Sequence, residues 1–497
     1  LDFMKTLENL NLSNSFAKLG ADFLQEKLPD PVSKPYLIDS NPSAIKLIGL
    51  KPTEIKRNEF LEYFSGNRLL SNSKPLAMAY SGHQFGSYNP RLGDGRGLLL
   101  GEVQDKNNNT LDIHLKGCGP TRFSRGFDGR ATLRASIREY LGGEAVHGLG
   151  IPTTRSLAVI GTGELVHREV PEPGAILVRL TDSHVRFGSF QFLHFNNKAE
   201  KVTALLNYII ERHYPTIQND SDKYRILLRH VVNRTAKLIA LWQANGFIHG
   251  VMNTDNMTIT GATFDYGPFG FMDHFNPNFT PNHSDPNGRY AYGKQPEIGY
   301  WNLSKFAETL KHLVDSQFIA EELTNYQPTY NDYYRKLMGQ KLGLEILDSE
   351  FKELVNKLFQ LLYNNSIDYS IFFRHLSDMP RNFPKTLKQK FKDPQALDSW
   401  LSMYVRLIER EDPSLNTRTE KMNSINPKFI LRNYLLQDAT DKALKESDFS
   451  EVERLRILLE DPYKDRPELF SKYGIESEHY AAETPPSSIE MQLSCSA

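Results

Sequence analysis

The sequence predicts a mixed α+β protein built from two lobes, a β-rich lobe followed by a helical lobe, with a cleft between them. Glycines and short β-type runs are dense from residue 76 to about residue 192. Helical periodicity dominates beyond Lys198, and polar loops rich in Gly, Asn and Asp lie near the junction. A chain of 497 residues is long enough for two or three packed units.

The β-rich segment holds three runs with the composition of strands and one helical pattern. The strand-like runs cover residues 97–103, 111–115 and 175–180. A helix is predicted over residues 131–149, where apolar residues recur at helical spacing: Leu133, Ile137, Tyr140, Leu141 and Ala145. We therefore expect a small sheet with one helix packed on it.

The second half of the chain is predicted to be helical, most clearly over residues 202–214, 224–245 and 301–314. Residues 246–273 interrupt this pattern with short apolar stretches punctuated by Asn, Asp and Gly. We divide the chain into four parts: an N-terminal extension packing on the lobes (1–75), the β-rich lobe (76–195), the helical lobe (196–480) and a flexible C-terminal tail (481–497).

Composition excludes several classes of protein. Hydrophobic residues make up 39% and charged residues 24%, and a net charge of -1 gives no general attraction to nucleic acid or to an anionic membrane. The two cysteines, Cys118 and Cys495, cannot form a disulfide framework and fit a reducing compartment. No apolar run approaches the roughly 20 residues that span a bilayer, and the first residues lack a leader pattern. We expect a soluble intracellular protein with no nucleic-acid or membrane partner.

A glycine-rich loop precedes the first predicted strand. It reads Gly93-Asp94-Gly95-Arg96-Gly97. Closely spaced glycines let backbone N–H groups approach an anion, and Arg96 adds positive charge. The same pattern also forms ordinary hairpin turns, so both interpretations stay open for this loop alone.

Lys116 follows a predicted strand, and Glu139 lies in the predicted helix. A lysine that holds phosphates needs a carboxylate to fix its long side chain, and in protein kinases a strand lysine is held by a glutamate of the following helix. Glu139 lies off the apolar stripe, beside Gly142 and Gly143. A carboxylate in such a place usually has a partner, because burying it alone is costly. A solvated surface glutamate is the alternative.

The strongest pattern lies in the middle of the chain. Residues 249–256 read His-Gly-Val-Met-Asn-Thr-Asp-Asn, and residues 265–267 read Asp-Tyr-Gly. Protein kinases carry a His-Arg-Asp-x-x-x-x-Asn loop followed by Asp-Phe-Gly, so Asn256 and Asp265 take the places of the Mg²⁺ ligands. The kinase catalytic aspartate falls on Val251, which cannot accept a proton. Asp255 is the nearby candidate base.

Further charged residues flank the predicted cleft. Asp128 and Gly129 lie in a glycine-rich loop before the helix. Arg179 ends a predicted strand, and Arg186 follows it. Arginines bind phosphates bidentately. For each arginine taken alone, ordinary surface charge is the competing interpretation.

These segments, in their order between residues 75 and 435, resemble the selenoprotein O family, also called the YdiU family. The matching stretches include Tyr-Ser-Gly-His-Gln-Phe-Gly at 80–86, Leu-Gly-Asp-Gly-Arg-Gly at 92–97, Ile-Pro-Thr-Thr-Arg at 151–155, and Asp-Tyr-Gly-Pro-Phe-Gly-Phe-Met-Asp at 265–273. The ordered set, more than any single motif, carries the resemblance.

The resemblance implies a bilobal protein-kinase-like fold that binds ATP flipped relative to kinases, so that AMP is transferred and pyrophosphate leaves. The acceptors would be Ser, Thr or Tyr hydroxyls of other proteins and of the enzyme itself. Asp255 would accept the proton, while Asn256 and Asp265 would bind Mg²⁺ or Mn²⁺. Glu139 would position Lys116. The nucleotide and its phosphates would be held by Gly93, Gly95, Arg96, Lys116, Asp128, Gly129, Arg179, Arg186 and Asp265.

The tail departs from the family pattern. Cys495 is followed only by Ser496 and Ala497, without the Cys-x-x-selenocysteine ending of animal members. Pro281 stands where some bacterial members carry a cysteine, so a disulfide between loop and tail is not expected. We expect a monomer in the bacterial cytoplasm, or in mitochondria for a eukaryotic source.

Two other functions share most of these residues. A protein kinase would transfer the γ-phosphoryl group and would need a base that Val251 does not supply. A pseudokinase acting as an ATP-binding scaffold would not need Asp255 or Asp265. The presence of Lys116 and Glu139 together with both candidate metal ligands argues against the scaffold.

Overall fold

An antiparallel sheet of eight strands organises the N-terminal half of the computed structural model, which describes residues 4–379, 383–411, 415–467, 469, 471, 474 and 477–493. The strands of the whole described chain, in this sheet and outside it, are β1 (Leu24–Glu26), β2 (Tyr36–Ser40), β3 (Leu76–Met78), β4 (Gly82–Gln84), β5 (Ser87–Asn89), β6 (Gly97–Gln104), β7 (Thr110–Lys116), β8 (Ala131–Thr132), β9 (Arg155–His167), β10 (Pro171–Thr181), β11 (Phe247–Ile248) and β12 (Gly270–Phe271). The large sheet has the order β1-β3-β6-β7-β10-β9-β2, and β8 pairs with β10. Strands β4 and β5 form a separate hairpin, and β11 pairs with β12.

Helices dominate the rest of the described chain. They are α1 (Pro42–Leu47), α2 (Asn58–Phe64), α3 (Leu133–Gly148), α4 (Phe187–Phe195), α5 (Ala199–His213), α6 (Lys223–Ala244), α7 (Gln295–Ala307), α8 (Ser316–Thr324), α9 (Tyr326–Leu342), α10 (Ser349–Asn365), α11 (Tyr369–Leu376), α12 (Lys385–Lys388), α13 (Pro394–Glu411), α14 (Leu415–Asn423), α15 (Asn433–Glu446), α16 (Ser450–Glu460) and α17 (Ser477–Ala481). None of the helices in the described ranges has both the length and the apolar character that crossing a membrane requires.

Helix α3 lies between the sheet and the helical part of the chain. The Thr132 hydroxyl caps it by accepting the Ala135 backbone N–H at 3.2 Å. Ile137, Tyr140 and Leu141 are fully buried, and the helix contacts β9 and β10 as well as α15 and α16. Burial on several sides fixes the helix and therefore fixes the direction of the side chains that it carries.

The predicted elements are confirmed, with shifted ends. The three strand-like runs are β6, β7 and β10, and the predicted helix is α3, preceded by the short strand β8. Helices α5 and α6 match the predictions for residues 202–214 and 224–245. Helix α7 begins earlier than predicted. Pro296 lies in its first turn, where proline is tolerated because the backbone N–H that it lacks would have no hydrogen-bond acceptor within the helix. A sheet-rich N-terminal part and a helical C-terminal part are thus confirmed.

Described segments near both ends of the chain contact the rest of the fold. Strands β1 and β2, which belong to the predicted N-terminal extension, form the two edges of the large sheet. In the predicted flexible tail, the Asn433 amide donates to the Met491 carbonyl at 2.9 Å, and Leu493 pairs with Asn282. Residues 494–497, including Cys495, lie outside the described residues.

Arg432 is a buried cation in the helical half, with two carboxylates beside it. Its Nη1 lies 2.8 Å from Asp368 Oδ2 and 3.2 Å from Asp273 Oδ1. We expect Arg432→Leu to lower the free energy of unfolding by about 3–5 kcal/mol, because both carboxylates lose their buried cation. Chemical denaturation measures this change.

The matched control is Arg410→Leu, which removes a more exposed arginine from Asp348 and Glu350. That substitution should cost less than about 1 kcal/mol, because exposed ion pairs contribute little. Equal losses in the two variants would contradict the prediction.

Candidate active site

Lys116 and Glu139 form an ion pair at the centre of the β-rich part. Lys116 ends β7 and Glu139 lies on α3, and the Lys116 ammonium donates to Glu139 Oε2 at 2.5 Å. The Glu139 side chain is buried, at 2% exposed, and the Lys116 side chain is mostly buried, at 12% exposed. Burial lowers the pKa of Lys116, and although burial alone would raise the pKa of Glu139, Arg179 and Lys116 outweigh it and lower that pKa. The predicted pairing of strand lysine and helix glutamate is present.

Asp265 joins this pair to two arginines. Its Oδ1 accepts hydrogen bonds from the Lys116 ammonium at 3.3 Å and from the Arg179 guanidinium, and its Oδ2 lies 3.5 Å from Arg186 Nη1. Arg179 also donates to Glu139 Oε1 at 2.5 Å. Burial opposes ionisation, but the three cations hold the pKa of Asp265 well below its usual range. We call Lys116, Arg179 and Arg186 the cation cluster.

The backbone of Asp265 adopts an unusual conformation, with φ at +61°. Aspartate is one of the few residues that tolerate this left-handed region. The next residue, Tyr266, packs against α3 at Gly142. A Cβ atom on Gly142 would lie only 2.9 Å from the Tyr266 ring and 2.5 Å from the Phe269 ring, so a larger residue would clash. The glycines beside Glu139 therefore let the Asp-Tyr-Gly segment approach the helix that carries the glutamate.

The glycine-rich loop lies directly before β6. Gly93 has φ at +112°, and a Cβ there would lie 2.5 Å from the Phe123 ring, so glycine is required. A Cβ on Gly95 would lie 2.9 Å from the Phe123 carbonyl oxygen. The Arg96 carbonyl accepts the Gly117 N–H at 2.6 Å, which places Arg96 beside the end of β7. The Arg96 side chain is partly exposed and makes no hydrogen bond or ion pair with any described residue.

Asp94, in the same loop, is a buried residue that sequence reasoning did not single out. Its Oδ2 accepts the Met78 N–H at 3.0 Å, and its Oδ1 lies 3.8 Å from Arg186 Nη2. The Arg186 guanidinium also lies 4.1 Å from the Tyr80 ring centroid and donates to the Asp255 carbonyl at 3.1 Å. These contacts fix Arg186 between the glycine-rich loop and the segment that carries Asp255. The Gly-Asp-Gly spacing indicated an anion-binding loop or a turn, and neither interpretation gave its carboxylate a role.

Asp128 and Gly129 lie apart from the cation cluster. The Asp128 carboxylate is bound by Arg168 through two contacts of 2.8 and 3.1 Å. The Gly129 carbonyl accepts the Gly119 N–H at 3.1 Å, and a Cβ on Gly129 would lie 2.1 Å from the Gly119 carbonyl carbon. The structure therefore brings neither residue into contact with Lys116 or Asp265. Their predicted role in nucleotide binding stays a prediction.

Asp255 and Asn256 belong to a short 3-10 turn, Thr254–Asn256. Asp255 is 6% exposed, its Oδ1 has no hydrogen-bond partner among the described residues, and its Oδ2 accepts a weak hydrogen bond from Gln84 Nε2 at 3.4 Å. Burial raises the pKa of Asp255 to about 7. The Asn256 amide donates to the Val251 carbonyl at 3.0 Å. No described residue donates to the Asn256 Oδ1, so this oxygen could bind a cation.

The β4–β5 hairpin encloses Asp255. A Cβ on Gly82 would lie 2.6 Å from Asp255 Oδ1, so only glycine fits there. The Asn89 amide donates to Gln84 Oε1 at 3.1 Å, which turns the Gln84 amide nitrogen toward Asp255. The His83 N–H donates to the Thr254 hydroxyl at 2.7 Å. The sequence analysis noted the Tyr-Ser-Gly-His-Gln-Phe-Gly stretch at 80–86 but gave it no chemical role. The contact with Asp255 could not be predicted, because 171 residues separate it from Gln84.

The available donors fit a small divalent cation. Asp265 and Asn256 offer a carboxylate and an amide oxygen, the hard ligands that Mg²⁺ and Mn²⁺ accept. No group of three or more His, Cys, Asp or Glu side chains in the described part of the chain could hold a metal ion. A pair of protein ligands suits Mg²⁺, which is commonly bound by one or two protein carboxylates together with substrate phosphates and waters.

Comparison with known proteins identifies the family. The sequence model described as Protein adenylyltransferase SelO matches residues 6–459. A protein from Myxococcus xanthus named Protein nucleotidyltransferase YdiU is 45% identical over 496 residues, which cover 99% of this chain and 100% of the relative. A protein of the same name from Pseudomonas putida strain GB-1 is 44% identical over 494 residues, with the same coverage. The resemblance seen in the sequence is confirmed, and the chain belongs to the protein adenylyltransferase SelO family.

Proposed function

We propose that this chain transfers AMP from ATP to Ser, Thr or Tyr hydroxyls of proteins, including its own, using a kinase-like pair of lobes. Membership of the family makes it a nucleotidyltransferase with ATP as substrate. The observation that carries the assignment of the site is the network joining Lys116, Glu139, Arg179 and Asp265. A strand lysine held by a helix glutamate, facing an Asp-Tyr-Gly aspartate, supports a kinase-like arrangement of residues 76–195 and 196–480.

The cation cluster is suited to the phosphates of ATP. Lys116, Arg179 and Arg186 converge on one carboxylate, so a triphosphate entering beside Asp265 meets three fixed positive charges. The Arg96 guanidinium, which is unpaired within the described residues, is available as a fourth. The backbone N–H group of Gly93 can approach the phosphates closely. The Gly95 N–H already donates to the Gly93 carbonyl at 2.7 Å. Such fixed charge stabilises the transition state without reorganisation.

The metal would be held by Asn256 and Asp265. When bound, Mg²⁺ or Mn²⁺ would neutralise charge on the phosphates of ATP. Glu139 meanwhile holds Lys116 and Arg179 in place, so that both cations stay directed at the nucleotide.

Asp255 would receive the proton of the acceptor. The hydroxyl oxygen bonds to the α-phosphorus of ATP. The bond between the α-phosphorus and the oxygen that bridges it to the β-phosphorus breaks, and pyrophosphate leaves with that electron pair. The hydroxyl proton passes to Asp255, whose Oδ1 has no partner in the described part of the chain. Val251, at the position of the kinase base, has only an aliphatic side chain.

The test uses ATP labelled on the α- or the γ-phosphate, with Mg²⁺ or Mn²⁺ and a mixture of acceptor proteins. We expect covalent label on protein from α-labelled ATP and none from γ-labelled ATP. Label from γ-labelled ATP alone would make the chain a kinase. Bound ATP without label from either position, across acceptors and self-modification, would support the scaffold instead.

Gln84 is expected to position Asp255. Replacing Gln84 with leucine removes the one side-chain hydrogen bond to Asp255 within the described residues, and we expect kcat to fall about tenfold with little change in the KM for ATP. In an Asp255→Asn background the same substitution should have no further effect, because Gln84 acts through that carboxylate. Additive losses in the double variant would mean that Gln84 acts elsewhere.

A further inference from the structure

The tip of the β4–β5 hairpin is a two-residue turn made by Phe85 and Gly86. The register pairs Gln84 with Ser87, and both turn residues have positive φ, +50° at Phe85 and +87° at Gly86. This is the conformation of a tight hairpin turn for which Asn-Gly is the favoured pair. A bulky residue with positive φ is an outlier, because its Cβ crowds the backbone. Phenylalanine at this position is therefore expected to lower the stability of the folded protein relative to asparagine.

The strained side chain is also exposed. Phe85 keeps 42% of its surface accessible to solvent, and its ring centroid lies 5.2 Å from that of Tyr290. The Phe85 N–H donates to the Tyr290 hydroxyl at 2.8 Å, and that hydroxyl donates to Asn253 Oδ1 at 2.6 Å. The tip is thus anchored to the segment that carries Asp255, and the neighbouring Gln84 contacts Asp255 itself.

Arg289 lies beside this turn. A Cβ on Gly86 would lie 3.4 Å from the Arg289 Cζ, and the guanidinium stacks 4.8 Å from the Trp301 ring centroid. Arg289 makes no ion pair with a carboxylate anywhere in the described ranges, and its Nε has no hydrogen-bond partner there. A guanidinium held on aromatic rings, with no carboxylate partner among the described residues, is positioned to bind a carboxylate from outside.

We propose that Phe85 and Arg289 bind the acceptor protein beside the hydroxyl that receives AMP. Phe85 contacts an apolar side chain next to that hydroxyl, and Arg289 pairs with a carboxylate of the same acceptor segment. The inference rests on the proposed function, since it assigns the acceptor side of that site. The two residues share a surface, and the hairpin joins that surface to Asp255, so an acceptor bound here presents its hydroxyl to the proton acceptor. Charge complementarity selects an acidic segment over a basic one.

The experiment exploits the strain at Phe85. Phe85→Asn places a residue suited to the turn, so its melting temperature should equal or exceed that of the wild type. We expect its kcat/KM for the acceptor to fall at least tenfold while the KM for ATP changes less than twofold. Phe85→Trp keeps an aromatic ring and should retain most of the activity. Tyr363→Asn, which alters an aromatic residue 48% exposed on α10, is the matched control and should leave transfer unchanged.

The acceptors are two synthetic peptides, each with one serine, flanked by Phe and Glu in one and by Gly and Lys in the other. With α-labelled ATP, the wild type should label the Phe-Glu peptide at least tenfold faster, and Arg289→Glu should abolish or reverse that preference. Wild-type activity on proteins with no preference between the peptides, or with neither peptide labelled, would overturn the inference alone. Full activity of Phe85→Asn would do the same. Absence of α-label on every acceptor would overturn the proposed function and the inference with it.

Discussion

Replacing Asp265 with alanine is expected to lower the rate of AMP transfer at least about 1,000-fold. Asp265 is the point where Lys116, Arg179 and Arg186 meet. It is also the proposed carboxylate ligand of the metal. The substitution therefore removes the proposed metal ligand and the carboxylate shared by the three cations, although Glu139 still pairs with Lys116 and Arg179. Both changes weaken the stabilisation of negative charge on the phosphate oxygens and on the departing pyrophosphate in the transition state.

The assay measures α-labelled AMP on protein, and calorimetry measures ATP binding with Mg²⁺ and with a chelator. In the wild type, Mg²⁺ should strengthen ATP binding, and in Asp265→Ala that gain should disappear. Asp398→Ala, which removes a carboxylate 54% exposed at the surface near Lys388, should leave both properties unchanged. If Asp265→Ala kept a metal-dependent gain in affinity, the metal ligands would have to lie elsewhere.

The Lys116–Glu139 pair could be predicted because each part of it has a local signal. The strand before Lys116 and the helix around Glu139 are both visible as periodic patterns, and 23 residues join them. The Asp-Tyr-Gly segment adds a third local motif. The contact of Lys116 with Asp265 was not predicted, because 149 residues separate the two and no single segment of the sequence encodes it.

Other contacts have no local signal and were not predicted. Strand β9 is the longest of the described strands, yet its glycines weaken the strand pattern, and Gly161 is needed because a Cβ there would lie 2.2 Å from the Tyr36 ring. Its partner β2 lies in the segment expected to be an extension. The Asp128–Arg168 pair likewise forms only because the turn between β9 and β10, which carries Arg168, lies beside the loop that carries Asp128. Pairings of this kind depend on the tertiary fold, and residue type alone does not reveal them.

Asp255→Asn is expected to lower kcat for AMP transfer about 100-fold or more, with ATP affinity unchanged within about twofold. Asparagine keeps the shape of the side chain, so the contact with Gln84 and the tight fit against Gly82 can remain. It cannot accept a proton as a carboxylate does. The loss should therefore appear in the chemical step and not in nucleotide binding.

The same variant should not lose stability, and this separates a catalytic role from a structural one. Asp255 makes no ion pair with a described residue, and burial disfavours its ionised form more than the nearby charge of Arg186 favours it. An asparagine of equal size avoids that cost, so the melting temperature of Asp255→Asn should equal or exceed that of the wild type. A variant that is stable and binds ATP but transfers AMP slowly would place Asp255 at the reacting hydroxyl. Transfer at the wild-type rate would mean that the proton leaves by another route, since the positioned cations and the loose transition state would then suffice.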